Sequence, residues 1–246
     1  MSLSSNSIIH LTQTKTSLKG ILKNGFDIHY CRETIELGDA KFNIYVPMVS
    51  FCDIPLSNIK EHIVKYGKFG IGLTKEWAIK NKLNPVLYLE GGSLLSHSVD
   101  TVILDALSEG NVSTWTDEQK CAADILRYIK NYQGNLIRKG KSKANYRFSD
   151  EREWRYVPSF TEKCKMFTSK SNYNTKAAKH KIDSGLVDIN LSFELNDIKY
   201  ILVKNDKDIH DLIDTLRHVV WDGVTGKEID RLTTRIFTTE QIKSDV

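Results

Sequence analysis

The amino-acid sequence predicts an α+β fold with a mixed or antiparallel sheet flanked by helices. Short β-type runs and amphipathic helical segments are both well represented, but they do not alternate regularly, as a doubly wound fold would require. With 246 residues, 40% of them hydrophobic, the chain is long enough to bury a sizeable core. We interpret residues 1–246 as a single domain with a helical insert at 93–134 and a long polar loop at 161–185.

The first third of the chain contains two apparent strand–helix units. An apolar run at 7–10 precedes a helix that Ser17 can cap and that Gly25 ends. The stretch 45–73 reads as strand, helix and strand. Glycines at 67, 70 and 72 surround its second strand, and such glycines mark places where a ligand or another backbone comes close. A tight bend in an ordinary core is the alternative interpretation.

The remaining elements are less regularly spaced. Apolar residues at helical spacing indicate a helix over 99–106, and Thr116 with Gln119 forms a capping-box pattern before a second helix. The other predictions are strands at 85–89, 149–160, 198–203 and 234–238, a helix that starts at 77 and ends near 83–84, and a helix at 206–218.

Positive charge is concentrated in two short segments, although the formal net charge is only +4. RKGKSK at 138–143 and KAAKHK at 176–181 are both predicted to be exposed loops. Solvated loops are the plainer interpretation. The alternative is a surface that contacts nucleic-acid phosphates or a partner protein through Arg138, Lys139, Lys141 and Lys143.

Targeting and metal signals are absent from the sequence. The four cysteines form no CxxC pair and lack histidines at zinc-ligand spacing, so we expect no metal site. The N-terminus lacks the pattern of a secretory signal, and no apolar window approaches the ~18 residues of a membrane span. These observations predict a cytoplasmic protein without membrane contact.

Candidate catalytic residues lie far apart in the sequence. Walker A, GxGxxG, HExxH and GxSxG motifs are absent. A carboxylate at Glu151 or Glu153, on a predicted strand, could bind a ribose hydroxyl and stabilise an oxocarbenium-like transition state. His10, which ends the first apolar run, could bind another hydroxyl. The structural alternatives are a strand-end histidine and a surface ion pair between Glu153 and Arg155.

Several blocks resemble the AbiGi family, the antitoxin component of an abortive phage-resistance system. The blocks are HLT at 10–12, LKGILKNGF at 18–26, PMVSFCDIPLS at 47–57, YGKFGIGLTKEWA at 66–78, NPVLYL at 84–89, EREWRYV at 151–157 and IKYILV at 198–203. The resemblance implies a phage-defence protein that binds a cognate toxin protein, through the basic segments or the helical insert.

The chain is also similar, more distantly, to ADP-ribosyltransferase folds of the DarT type. That similarity implies an ADP-ribosyltransferase-like sheet, NAD as cofactor, and a nucleic acid or protein as acceptor. It would place His10 and Thr12 at the ribose and nicotinamide side of NAD, and Tyr66 or Tyr88 against the nicotinamide ring. Glu153 would be the catalytic carboxylate, with Glu151 as the competing assignment.

Overall fold

The computed structural model describes residues 5–107, 114–138, 140–161, 163–219, 221 and 223–244, and it confirms the α+β class. The strands are β1 (Ser7–Thr12), β2 (Phe26–Asp27), β3 (His29–Leu37), β4 (Ala40–Cys52), β5 (Phe69–Thr74), β6 (Asn84–Pro85), β7 (Leu87–Leu89), β8 (Ile129–Asn131), β9 (Gln133–Arg138), β10 (Lys141–Arg147), β11 (Glu153–Tyr156), β12 (Thr168–Ser169), β13 (Asn190–Leu191), β14 (Ile198–Val203) and β15 (Ile236–Thr238). The helices are α1 (Lys15–Asn24), α2 (Lys60–Tyr66), α3 (Lys75–Lys80), α4 (Leu94–Leu107), α5 (Asp117–Tyr128), α6 (Lys176–Asp183), α7 (Lys207–His218), α8 (Gly226–Thr233) and α9 (Thr239–Ser244).

The chain divides into two compact units. Unit 1 comprises residues 1–27, 50–83 and 190–246, and unit 2 comprises residues 28–49 and 84–189. Each unit is described separately below.

Unit 1 is built on a mixed sheet. Strand β5 pairs antiparallel with both β1 and β14, whereas β14 pairs parallel with β15, which agrees with the predicted mixed sheet. Apolar side chains of β1, α2 and β14 form one core cluster, namely Ile9, Ile59, Ile63, Tyr200 and Leu202. Helix α1 begins at Lys15 because the hydroxyl of Thr14, and not that of Ser17, caps it, and it ends at Gly25 as predicted.

The glycines around β5 are explained by close packing within unit 1. Gly67 has φ +139, and a Cβ there would lie 2.0 Å from the Thr12 carbonyl oxygen. A Cβ on Gly70 would lie 2.8 Å from the His10 carbonyl oxygen, and one on Gly72 would lie 2.4 Å from the Tyr200 ring. At these glycines, neighbouring backbone and an aromatic ring therefore occupy the space that a side chain would fill, which explains the glycines without a ligand.

Unit 2 contains a long antiparallel ladder between β3 and the first part of β4, running from His29↔Met48 to Leu37↔Ala40. The short strands β6 and β11 pair antiparallel, and β7 pairs parallel with β8. Strands β9 and β10 form a separate two-stranded sheet. The core packs the inward residues of the ladder against α4, α5 and β8, through residues such as Ile35, Val46, Ile103, Leu126 and Ile129.

Two predicted segments of unit 2 differ from the structure. The capping box of Thr116 and Gln119 is confirmed, but the helical insert ends at Tyr128, because the chain then pairs with β7 as strand β8. The segment 161–185 is not all loop. It contains β12 and helix α6, which the Thr175 hydroxyl caps, and α6 buries no residue, so its sequence lacks apolar periodicity. KAAKHK is therefore helical, not a loop.

Candidate functional site

Strand β11 carries a pair of opposite charges into the interior of unit 2. Glu153 and Arg155 are only 4% and 0% exposed, whereas Trp154 and Tyr156, which alternate with them, are partly exposed. This alternation is the one expected for a strand with one buried face. The alternative prediction of a surface ion pair between Glu153 and Arg155 is therefore wrong, because both residues are buried.

Both carboxylate oxygens of Glu153 accept hydrogen bonds from cationic groups. Arg155 Nε donates to Oε1 at 2.7 Å, and Lys130 Nζ donates to Oε2 at 2.6 Å. Arg155 Nη2 lies a further 3.4 Å from Oε2. The two bonds to Lys130 and Arg155 Nε have the short lengths of charge-assisted hydrogen bonds.

The remaining donors of Arg155 are also satisfied. Nη1 donates to the Arg127 carbonyl at 2.8 Å, and Nη2 donates to Glu33 Oε1 at 3.0 Å. Buried guanidinium groups need such partners, because an unpaired buried charge is costly. Through these hydrogen bonds Arg155 connects strand β11 to strand β3 and to the end of helix α5.

Glu151 forms a second branch of this buried charge cluster. It is 3% exposed, the Tyr146 hydroxyl donates to its Oε1 at 2.9 Å, and Lys130 Nζ lies 3.6 Å from its Oε2. The cluster thus contains three carboxylates and two cations, a formal sum of −3 + 2 = −1. Its members are Glu33, Lys130, Glu151, Glu153 and Arg155.

The pairing fixes the charge states of the cluster. Burial opposes ionisation of Glu153, but the positive charges of Arg155 and Lys130 outweigh it and hold the pKa of that carboxyl below its usual range. Burial likewise opposes the charged form of Lys130, and the Glu153 and Glu33 carboxylates nevertheless raise the pKa of its ammonium group. An ionised carboxylate bound to two cations is the resting state of the cluster.

Two neighbouring groups are kept neutral. Burial raises the pKa of the Tyr88 hydroxyl, whose oxygen accepts the Glu153 backbone N–H at 2.9 Å. Burial, followed by the Glu33 charge, raises the pKa of the Cys31 thiol to about 11. Cys31 is therefore protonated at neutral pH and is a poor nucleophile.

The predicted site residues are divided between the two units. Tyr88, Glu151 and Glu153 come together in unit 2, through the contacts just described. His10, Thr12 and Tyr66 belong to unit 1.

In unit 1 the three predicted residues lie along β1 and at the end of α2. His10 Nδ1 lies 2.9 Å from the Ser50 carbonyl oxygen, which can only accept, so the contact places a proton on Nδ1. Thr12 pairs with Phe69 in the sheet. The Tyr66 ring stacks on His62 with centroids 6.0 Å apart.

The basic candidates lie on the hairpin formed by β9 and β10. Lys143 is exposed, and its ammonium group lies 5.5 Å from the centroid of the Tyr146 ring. Arg138 and Lys141 pair with each other at the tip, although their side chains fall outside the described part of the structure. Lys139 lies outside the described residues.

Sequence reasoning missed Lys130, Glu33 and Tyr146. Lys130 falls within the predicted helical insert, and its inward position depends on the pairing of β8 with β7. Glu33 accepts a hydrogen bond from Arg155, which lies 122 residues later in the sequence. The only available signal was the alternation of β3, in which Ile35 and Leu37 are buried.

Comparison with known proteins identifies the family. A family model described as "Putative abortive phage resistance protein AbiGi, antitoxin" matches residues 24–204, about three quarters of the chain. The "Abortive phage resistance protein AbiGi" of Lactococcus lactis subsp. cremoris is 30% identical over 233 residues, covering 82% of this chain and 89% of that protein. No solved structure matches the chain. Over the described ranges, no helix has the length and apolar character needed to cross a membrane. The chain belongs to the AbiGi family of abortive phage resistance proteins.

Proposed function

We propose that this protein is the antitoxin component of an abortive phage-resistance pair and neutralises a cognate toxin protein in the cytoplasm by binding it. The observation that carries the proposal is the family match, whose description includes the word antitoxin. The saturated charge cluster of unit 2 is consistent with a binding scaffold, because every charged side chain in it is already engaged by its neighbours.

Helix α4 is the surface that we assign to the toxin. Its inner side packs into the core of unit 2 through Ile103, with Val99 and Leu107 beside it. Four large apolar side chains of α4 are nevertheless 47–88% exposed, at Leu94, Leu95, Val102 and Leu104, beside exposed polar residues such as Ser98 and Thr101. A helix that faces water usually has a polar outer side, and an exposed apolar patch marks a protein–protein contact.

Charge favours a toxin segment with basic residues beside its apolar ones. Helix α4 contains two aspartates and no lysine or arginine. Helix α5, which packs on α4, contributes three carboxylates against Lys120 and Arg127, so the pair sums to −2 − 3 + 2 = −3 in a chain of net charge +4. Complementary potentials of this kind guide partner choice.

The test is neutralisation of the toxin by variants of the α4 outer side. We expect Leu95→Asp/Val102→Asp to fold normally, since both side chains are largely exposed, but to weaken toxin binding by about tenfold or more. The binding partner is the neighbouring gene product whose expression alone arrests growth. Growth rescue and the Kd of the purified pair are measured.

The control makes one Val→Asp change, like that at Val102, on another element. Val64→Asp lies on α2 in unit 1, and its side chain is 76% exposed, so it should neutralise like the wild type. If Leu95→Asp/Val102→Asp binds like the wild type, or if Val64→Asp fails equally, α4 is not the toxin surface. If no wild-type complex forms at all, the antitoxin role itself is wrong.

A second candidate is an NAD-dependent ADP-ribosyltransferase built on a scaffold of that type, with Glu153 as catalytic carboxylate. The ionised state of Glu153 and the nearby Tyr88 hydroxyl favour it, since an ionised carboxylate can stabilise an oxocarbenium-like transition state. The occupation of both Glu153 oxygens by Lys130 and Arg155 favours the binding scaffold instead.

NAD-induced thermal shifts separate the two functions. An enzyme would show a rise in melting temperature with NAD, and the rise would vanish in Glu153→Gln and in His10→Ala. We expect no rise in any of the three proteins. The comparison is made within each protein, with and without NAD, because Glu153→Gln also lowers stability in itself.

A further inference from the structure

The hairpin of β9 and β10 accounts for all the excess positive charge of the chain. Residues 133–147 contain five cationic residues and no carboxylate, namely Arg138, Lys139, Lys141, Lys143 and Arg147. The whole chain has a net charge of +4, so the rest of it sums to +4 − 5 = −1. A like-signed patch on a nearly neutral protein attracts polyanions.

The hairpin is a separate two-stranded element, and the two of its cationic side chains that the structure describes are exposed. Its two strands pair only with each other, from Arg147↔Gln133 at the base to Lys141↔Arg138 at the tip, and Gly140 has φ +74 in the turn. Over the residues whose side chains are described, both Lys143 and Arg147 are exposed and neither forms an ion pair. They lie instead against the rings of Tyr146 and Tyr132.

The base of the hairpin is fixed to the interior of unit 2. Tyr146 is 5% exposed and donates its hydroxyl proton to buried Glu151 at 2.9 Å. The Phe148 backbone N–H donates to the Tyr132 carbonyl at 2.9 Å. An isolated two-stranded hairpin is marginally stable in water, so this anchoring is what allows a charged hairpin to project as a defined element.

The exposed residues beside the cations do not suit a protein partner. Over the described side chains of the two strands, the exposed ones other than the cations are small or polar, namely Gln133, Asn135, Ser142, Ala144 and Asn145, and the partly exposed Tyr132 ring at the base lies against Arg147. Protein interfaces depend on buried aromatic or aliphatic anchors, whereas interfaces with nucleic acid are polar and strongly positive. A polyanion with a regular array of charges therefore fits this surface better than a folded protein does.

We propose that hairpin β9–β10 binds duplex DNA along its major groove, with cations of the two strands on the phosphates. The major groove of B-form DNA is about 12 Å wide and admits a two-stranded β-ribbon. The major groove of A-form RNA is too narrow and deep for side chains to read. This inference rests on the hairpin alone and is independent of the toxin surface on α4.

The test is fluorescence anisotropy with a labelled DNA duplex of about two helical turns. We expect the Kd of the wild type to weaken steeply as salt rises from about 50 to about 200 mM, because bound cations release counterions from the phosphates. Lys141→Glu/Lys143→Glu should weaken binding by at least about tenfold and lower the salt slope by about 2. The control, Lys199→Glu/Lys207→Glu, makes the same charge change at exposed positions of unit 1 and should bind like the wild type.

Three kinds of binding result would contradict the proposal. Equal losses in the two variants would mean that only the net charge matters. Tighter binding to an RNA duplex of the same sequence, or to the single strand, would exclude the groove contact. Equal binding to poly-glutamate would show a site for acidic protein segments. Toxin neutralisation by the hairpin variant is measured in parallel. If it is retained, a loss of DNA binding is not caused by failure of the antitoxin function.

Discussion

Strand β11 and hairpin β9–β10 are close in the sequence, and both are rich in charged residues. The charged side chains of β11 are buried, whereas those described in the hairpin are exposed to solvent. In β11, Glu153 and Arg155 are almost fully buried, and every hydrogen-bonding group of the pair has a partner. In the hairpin, Lys143 and Arg147 are exposed and contact aromatic rings. Charges of alternating sign two residues apart can neutralise one another inside a protein, whereas a run of one sign must stay in water or meet a polyanion.

The difference also separates two kinds of role. The buried charge cluster connects β3, β8, β11 and the end of α5, so its charges determine the packing of unit 2. Desolvation of the ions offsets much of their attraction, so the cluster adds less to stability than its bonds suggest, but the loss of one partner is costly. The hairpin joins that packing through buried Tyr146 at its base, whereas its cations Lys143 and Arg147 are exposed.

The largest expected effect is the removal of a cation from the cluster. Arg155→Met leaves buried Glu153 and half-buried Glu33 without that partner, and should lower the free energy of unfolding by about 3–5 kcal/mol. The matched change in the hairpin, Arg147→Met, should alter it by no more than about 0.5 kcal/mol. Urea denaturation followed by circular dichroism measures both. Similar costs for the two variants would refute the distinction between the regions.

The sequence predicts the fold better than it predicts the site. The α+β class, the capping box at Thr116, the end of α1 at Gly25 and strand β14 at 198–203 follow from local signals, because each depends on residues within a turn or two. Helix α6 does not follow, since it buries no side chain and so has no apolar face to recognise. Strand β8 is not predictable from a local pattern, because it pairs with β7, which lies about forty residues earlier in the chain.

The site depends on contacts that no local pattern reports. The alternation in EREWR predicts that Glu153 and Arg155 share a face, but it does not say whether that face meets water or the interior. Burial is decided by Glu33 and Lys130, which reach β11 from distant parts of the chain. The basic hairpin is the converse case, because its run of positive charge alone predicts exposure, and Ser142 and Lys143 within RKGKSK are exposed.

A smaller effect should appear in the pH dependence of stability, and it sharpens the comparison because only the buried region contributes to it. The pKa of Glu153 in the folded protein is lowered from its ordinary value of 4.5, after the charges of Arg155 and Lys130 overcome the cost of burial. Its contribution is therefore present above about pH 4.5 and is lost as the pH falls through the lower folded value. We expect the unfolding free energy of the wild type to fall more steeply between pH 5 and pH 3 than that of Glu153→Gln, which cannot titrate at this position. Arg147→Met should follow the wild-type curve, because the hairpin holds no carboxylate. Urea titrations at a series of pH values measure the three slopes, and parallel curves for the wild type and Glu153→Gln would show that the ionisation of Glu153 is not coupled to folding.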